Sequence, residues 1–434
     1  MTVGMGRSER REAMMAYVTG LLLDGDRKSI EPLAARLVDD VSEIEGMRQR
    51  LQQCVSMATW SDDEVRRRLA LKLDCELPGI EAFVIDDTGF PKKGTHSVGV
   101  QRQYSGTLGR TENCQVATSL HLAGEQGSGC VAMRVFLSEQ WIADKKRRAL
   151  TGVPEDVVFE TKPEIALGQL KQALAWGVGK HVVLADAGYG DSTSFRDGLS
   201  LLGLRYLVGV AGNHHVWPPG SNPRAPKNEP GKPGRARTTH RDGNRKPRSI
   251  LEVATNLDHD AYQKVVWRDG SRGRQSGIFA AVRIRSAERR TKGRPPGDEQ
   301  WLLCEWPAGA KTPQKFYLST LPADVSIRTL VRFAKLRWRV ERDYQEMKQE
   351  IGLDHFEGRS WRGFHHHATL CAVAHGFLAL RRALFPPEQD ALDASDGSTS
   401  AAAHLASEDR HVPDVPPTRA NNMAATGAFA HVIG

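Results

Sequence analysis

Two short apolar runs that each end in aspartate most strongly constrain how this chain can fold. The run AFVIDD ends at Asp86 and Asp87, and the run HVVLAD ends at Asp186. An acid at the end of a buried strand is costly unless it is paired or bound to a metal. In open α/β sheets, ligand sites lie at the carboxyl ends of the strands. A turn or a helix cap explains either position taken singly, but the two together favour a metal site.

The surrounding pattern predicts an α/β fold. The strand-like runs CQVATSLHLA and CVAMRVFLS follow the first acids, KPEIALGQLKQALAWGV has helical spacing, and LRYLVGV follows the second acid. Three strands followed by strand–helix alternation indicate a mixed sheet with helices on its faces. We therefore expect the core in two parts, over residues 79–211 and 323–384.

Residues 1–78 predict a helical N-terminal domain. Apolar side chains recur at three- and four-residue spacing, and SDDE, which begins at Ser61, is a capping-box signature. Several arginines lie on these helices: Arg48, Arg50, Arg66, Arg67 and Arg68. They could bind phosphates or solvate a surface, and we expect this domain to bind DNA.

Residues 212–322 predict a β-rich insertion. Its segment 217–248 holds seven prolines, nine lysines or arginines and two acids, which indicates a flexible basic arm. Trp267, Trp301 and Trp306 also lie in the insertion, where each could pack in the core or stack on a base. Residues 385–434 have no periodicity, and we expect a disordered tail.

Charge and cysteine content narrow the class of protein. The net charge of +8 and the pI near 9.2 favour a polyanionic partner. None of the six cysteines forms a CxxC pair, so a zinc site is not expected. No apolar run reaches the roughly 18 residues of a membrane span, and the N-terminus lacks a signal-peptide core. We expect a cytoplasmic protein that associates with the nucleoid when it binds DNA.

A third acid stands in a helix that the sequence predicts to begin at Ser326 and to continue past Glu350. In FAKLRWRVERDYQEMKQEIGL, Arg337 and Glu341 are four residues apart and share a helix face, and Lys348 follows two turns later near the same face. A surface helix with ordinary salt bridges would show the same spacing. The spacing alone therefore does not distinguish a catalytic helix from a surface helix, and the neighbouring motifs must be considered.

The motifs together resemble a known family. The R-x3-E-x6-K helix is similar to the signature of DDE transposases of the insertion-sequence-four superfamily, although Ala334 stands where that signature has tyrosine. The segments VIDDTGFPKKG, RQYSGTLG, DAGYG and GLDHFEGRSWRGFHHH resemble, more specifically, the insertion-sequence-701 family of transposases. The resemblance spans residues 10–380, and it implies an RNase H-like core with a β-rich insertion before the third acid.

The resemblance also implies a catalytic site. The family's first aspartate precedes threonine at a strand end, which favours Asp87 over Asp86; the second and third acids correspond to Asp186 and Glu341. Three carboxylates suit two magnesium or manganese ions, which stabilise the attacking and leaving oxygens in phosphodiester cleavage. Four basic residues are expected to bind DNA phosphates: Arg337, Lys348, Lys92 and Lys93. The adjacent His365, His366 and His367 point in different directions on a helix, so a shared ion is not expected.

These observations favour a transposase that binds the terminal inverted repeats of its own element and joins them to target DNA. We expect it to work as a homodimer on DNA, away from membranes. The alternatives are a stand-alone metal-dependent nuclease with the same three acids and a catalytically decayed DNA-binding relative.

Overall fold

The structure is a computed structural model, and it describes residues 8–106, 109–225, 239–270, 273–287 and 297–385. The predicted tail beyond Phe385 and residues 226–238 of the predicted arm lie outside these ranges. The strands are β1 Ile80–Pro91, β2 Gln101–Ser105, β3 Arg110–Gly124, β4 Ser128–Val135, β5 Val182–Ala185, β6 Tyr206–Val210, β7 His215–Trp217, β8 Arg248–Ser249, β9 Gln263–Gly270, β10 Gly273–Ser286, β11 Glu299–Trp306 and β12 Lys315–Ser319. The α-helices are α1 Ser8–Leu22, α2 Ile30–Arg36, α3 Ile44–Gln52, α4 Asp62–Glu76, α5 Glu139–Ala143, α6 Lys145–Thr151, α7 Lys162–Ala175, α8 Ala187–Gly190, α9 Thr193–Leu201, α10 Ile250–Thr255, α11 Ile327–Leu336, α12 Trp338–Gln349 and α13 Trp361–Leu384.

The core of the sheet has the order β4–β3–β1–β5–β6. Strand β3 is antiparallel to both β1 and β4, whereas β1, β5 and β6 run parallel. The helices flank this sheet, so the fold is the RNase H-like mixed sheet that the sequence predicts. Asp86 and Asp87 stand within β1, which continues to Pro91 instead of ending at these acids as the sequence pattern suggests, and Asp186 directly follows β5. The parallel pairing of β1 with β5 brings the three acids to neighbouring positions.

The strands of the predicted insertion extend the same sheet. Strand β12 pairs antiparallel with β6, and β11, β10 and β9 continue outward from it. The three insertion tryptophans are partly buried. Trp301 and Trp306 donate their indole N–H groups to the carbonyl oxygens of Pro322 and Ala310, and Trp267 packs edge-on against Phe279.

The N-terminal helices α1 and α4 pack against α13, whose Trp361–Leu384 segment runs through the largest apolar cluster. Most arginines of this region are already paired: Arg48 with Glu45, Arg66 with Asp62 and Asp63, and both Arg67 and Arg68 with Glu64. DNA binding by this domain therefore stays a prediction. None of the helices in the described ranges is long and apolar enough to cross a membrane.

The three adjacent histidines are buried on α13 and contact different groups. His365 lies against Trp361, His366 stacks on Trp60 with their ring centres 3.7 Å apart, and His367 lies 2.9 Å from the hydroxyl oxygen of Tyr17. Burial lowers the pKa of His365 and His367 to about 4. His366 and His367 thus pack α13 against the N-terminal helical region, whereas His365 accepts from the backbone N–H of Val135 on β4.

Candidate active site

Strand β1 separates two apolar clusters, and this separation decides where its two aspartates point. Phe83 and Ile85 belong to the cluster on the side of α7, whereas Ala82 and Val84 belong to the cluster on the side of α11. Side chains alternate between the faces of a strand. Asp86 therefore continues the α11 side, and Asp87 the α7 side.

On the α11 side of the sheet, Asp86 lies close to the helix that carries Glu341. Arg337, the residue between α11 and α12, donates from Nη1 to Asp86 Oδ2 over 2.8 Å. Its other terminal nitrogen lies 3.9 Å from Glu341 Oε1. Arg337 thus bridges the strand acid and the helix acid, and the Glu341 side chain remains 70% exposed.

Asp186 approaches the same place from β5. The parallel register pairs Val84 with Leu184, and continuing it by two residues sets Asp86 level with Asp186. Asp186 stands at the N-cap of α8 but makes no capping hydrogen bond, and its Oδ1 is buried without a partner. A helix-cap role therefore does not account for this acid.

Electrostatics show that these groups interact. The pKa of Asp86 is raised to about 6, mainly by burial. The Arg337 guanidinium opposes this rise, and the charges of Asp186 and Asp87 add to it. Burial alone would lower the pKa of Arg337, but the charges of Asp86, Asp186 and Glu341 raise it above its usual value. Arg337 is the shared counter-charge of three carboxylates.

Asp87 lies on the opposite face with different partners. Lys162, the first residue of α7, donates to Asp87 Oδ2 over 2.5 Å, and the Tyr189 hydroxyl donates to Oδ1 over 3.3 Å. The same hydroxyl lies 3.4 Å from Thr118 Oγ1 on β3. Asp87 is therefore fully engaged in protein contacts, and the geometry favours Asp86 as the acid that faces Glu341.

The glycines of the DAGYG turn allow α8 to lie directly on β6. A Cβ atom at Gly190 would meet the carbonyl oxygen of Gly209, and one at Gly209 would lie 3.0 Å from the backbone nitrogen of Ala187. The close approach fixes the backbone that follows Asp186. Glycine at both positions thus helps to place the second acid.

The other acids of α12 face away from the site. Asp343 accepts hydrogen bonds from Ser128 Oγ over 2.6 Å and from His121 Nδ1 over 2.7 Å. Glu346 accepts from Arg342 over 2.8 Å and from Arg382 over 2.6 Å. Both are buried. Of the three acids on this helix, Glu341 alone is open to solvent.

A hydrogen-bonded tie joins the helix to the acidic strand. The hydroxyl oxygens of Tyr344 and Ser119 lie 2.5 Å apart, and Ser119 Oγ also lies 3.5 Å from the carbonyl oxygen of Asp86 and 3.0 Å from His121 Nε2. Because these groups join α12, β3 and β1, they fix the helix of Glu341 relative to Asp86.

The buried His121 of this hydrogen-bonded group should make the stability of the fold depend on pH. Burial opposes a charge on His121, but Cys130 and Asp343 raise its pKa to about 10. A raised pKa contributes stability below the unfolded value of about 6.5, and that contribution is lost as the pH rises towards about 10. We expect urea unfolding to show a fall in the stability of the wild type over this interval, and a much smaller fall for His121→Asn. Parallel curves would mean that His121 is neutral in the fold.

The remaining predicted phosphate ligands are only partly available. Lys348 donates to the carbonyl oxygen of Gly89 over 2.9 Å, and Lys92 to that of Phe356 over 2.8 Å. Burial lowers the pKa of both amines. They hold the end of β1 to the C-terminal helices, whereas Lys93 is exposed. Phosphate binding by these lysines stays a prediction.

The carboxylates fit a hard divalent cation. Within the described ranges, no three acidic, histidine or cysteine side chains come close enough together to hold one ion. Nevertheless, Asp186 Oδ1 is buried without a partner, burial disfavours the charged form of Asp86, and the acids of the site offer carboxylate oxygens. Magnesium prefers such oxygen donors and keeps several of its waters.

Comparison with known families agrees with this fold. The sequence model of the DDE superfamily endonucleases matches residues 1–274, more than half of the chain. The protein belongs to this family. The matched region includes Asp86, Asp87 and Asp186, and it ends before Glu341.

Part of the chain is also similar to a known transposase sequence. The chain is 32% identical over 191 residues to the probable transposase for insertion sequence element IS701 of Microchaete diplosiphon. The aligned region covers 43% of this chain and 47% of the relative. The chain therefore spans about half the length of the relative it matches.

Proposed function

We propose that this protein is a DNA transposase that cleaves the ends of its own insertion sequence and joins them to target DNA. The observation that carries the proposal is the bridge from Asp86 through Arg337 to Glu341, with Asp186 level with Asp86 on the next strand. The family of endonucleases and the similarity to an insertion-sequence transposase support the same chemistry.

The proposed metal ligands are Asp86, Asp186 and Glu341. Bound magnesium or manganese ions would stabilise the attacking and leaving oxygens of an in-line displacement at phosphorus. Asp86 is held within β1 and Asp186 directly after β5, and the exposed Glu341 is accessible to DNA. Arg337 balances their charge and is placed to contact a phosphate when ions neutralise the acids.

This assignment replaces Asp87 with Asp86 as the first ligand. The motif resemblance predicts Asp87, but that side chain points to α7 and accepts from Lys162. Asp87 then acts on the site indirectly, because its backbone N–H donates to Asp86 Oδ1 over 2.8 Å. Lys162 and Tyr189 hold Asp87, and through it they orient the ligand carboxylate.

The proposed partners are the terminal inverted repeats of the element and the target DNA. The helical N-terminal region, the basic arm and the sheet extension would provide DNA contacts outside the active site. Pairing of two ends would require two protomers, so we propose a homodimer on DNA. Its place of action would be the cytoplasm, at the nucleoid.

We expect purified protein, magnesium and DNA carrying the two element ends to give cleaved ends and strand-transfer products. Chelation should stop both reactions and added manganese should restore them, because the acids supply no other source of an activated oxygen nucleophile. Gel analysis of end-labelled DNA measures both steps. Full cleavage in excess chelator would contradict the metal mechanism.

The same assay separates the two alternatives. A stand-alone nuclease would cut the DNA without joining it to a target, with no preference for the ends of the element. A catalytically decayed relative would bind the ends and cut nothing. The presence of all three acids with Arg337 favours an active enzyme over the decayed form.

A further inference from the structure

Two arginines from distant parts of the chain lie against Trp338, the first residue of α12. The guanidinium carbon of Arg268, on β9, is 4.4 Å from the centre of the Trp338 ring, and that of Arg339 is 4.6 Å from it. The two cationic groups are therefore no more than about 9 Å apart. An aromatic ring attracts each of them, but it does not neutralise their charge.

The charge of this pair is only partly balanced within the described parts of the chain. Neither arginine forms an ion pair with a carboxylate there. Arg339 donates to the carbonyl oxygen of Glu125, and its Nε is buried without a partner. Burial and the neighbouring charges of Arg268 and Arg342 lower the pKa of Arg339, and the charges of Asp343 and Glu346 offset this only in part. The arrangement concentrates positive charge instead of dispersing it.

The arginines of α4 show the contrast. Arg66, Arg67 and Arg68 each lie beside an acid three or four residues away on the same helix. Those pairs are sufficient to explain their positions. Arg268 has no ion-paired acid among the described side chains and is exposed at the surface of β9, so it is available to bind a ligand of opposite charge.

The pair is next to the proposed catalytic acid. Residues three apart on a helix share a face, with their Cβ atoms about 5–6 Å apart, and Trp338 and Glu341 have this spacing on α12. An anion held against Trp338 would therefore lie within one helical turn of Glu341, although Arg339 itself, two residues before Glu341, points to another side of α12. Arginine binds phosphate oxygens through a planar fork of N–H donors, which stacking on an aromatic ring leaves in place.

We propose that Arg268 and Arg339, supported by Trp338, bind a backbone phosphate of the DNA strand that enters the active site. The proposal rests on the function proposed above, since it takes DNA as the substrate. Arg268 comes from the sheet extension, so this site also gives the extension a direct part in holding DNA at the catalytic helix. The simpler explanation is that the arginines only pack β9 against α12.

Arg268→Ala tests the site, with Arg268→Lys and Lys264→Ala as matched variants. Lys264 is exposed on the same strand, so its removal changes the net charge equally. The probe is a fluorescent duplex of the genomic DNA that flanks the coding region. Affinity is measured by anisotropy over a range of salt concentrations in chelator, which makes binding independent of cleavage. Thermal unfolding checks that each variant is folded.

We expect Arg268→Ala to reduce the log–log salt slope by about 0.9, the contribution of one neutralised phosphate. Arg268→Lys should keep the slope, and Lys264→Ala should leave it unchanged. An unchanged slope in Arg268→Ala, or an equal reduction in Lys264→Ala, would overturn the phosphate site. Salt-dependent binding with these differences but no cleavage in magnesium would retain the site and refute the proposed catalysis. A wild type that does not bind the duplex would refute both.

Discussion

Asp86→Asn should reduce DNA cleavage about a thousandfold or more, whereas Asp87→Asn should leave readily measured cleavage. A bound metal ion contributes several kcal/mol of transition-state stabilisation, and each 1.36 kcal/mol corresponds to a factor of ten in rate. Losing a ligand on the face of Arg337 and Glu341 removes that contribution. Losing Asp87 removes the contact with Lys162 and disturbs the site only through the backbone.

The two substitutions form a matched pair. Each removes one charge and keeps the side-chain shape, and the positions are adjacent. Folding should not confuse the comparison, because burial raises the pKa of Asp86 to about 6 and so disfavours its charged form. A neutral asparagine there should cost little stability, and thermal unfolding of both variants checks this. Complete loss of cleavage in Asp87→Asn together with near-normal cleavage in Asp86→Asn would restore the assignment made from the motif alone.

This choice shows where prediction from the sequence stops. The alternation of side chains on a strand shows that only one of Asp86 and Asp87 can face the site. Which one does depends on the helix that covers each face, and that information lies in the pairing of β1 with β5 and in the packing of α11. The resemblance points to the segment with Asp86 and Asp87, but it could not indicate which face of the strand each side chain occupies.

The helix that carries Glu341 could also be predicted only in part from the sequence. The i,i+4 spacing predicts that Arg337 and Glu341 meet, and they lie 3.9 Å apart. The sequence suggests one helix from Ser326 past Glu350, but the structure has α11 and α12 with a turn at Arg337, where the N–H of Val340 bonds to the Arg337 carbonyl three residues back. The contact of Lys162 with Asp87 joins residues 75 positions apart and leaves no periodic signal.

Glu341→Gln and Glu346→Gln should have opposite effects on activity and stability. Glu341 is 70% exposed, and its only ion pair with a described residue is the long contact with Arg337. Its replacement should therefore leave the unfolding free energy nearly unchanged while cleavage falls about a thousandfold, as expected for a lost metal ligand. Asp186→Asn should cause a similar loss of cleavage. DNA binding measured in chelator should remain close to that of the wild type in both.

Glu346 is buried and accepts hydrogen bonds from Arg342 and Arg382. Hydrogen bonds to charged groups contribute about 1.5–3 kcal/mol each, so Glu346→Gln should lower the free energy of unfolding by about 2 kcal/mol and still cleave DNA at a temperature where it is folded. Urea unfolding and cleavage of end-labelled DNA, measured on the same preparations, provide the two readouts. If Glu346→Gln is folded but inactive and Glu341→Gln still cuts, the third ligand lies on the inner face of α12. The bridge through Arg337 would then be an ordinary surface contact.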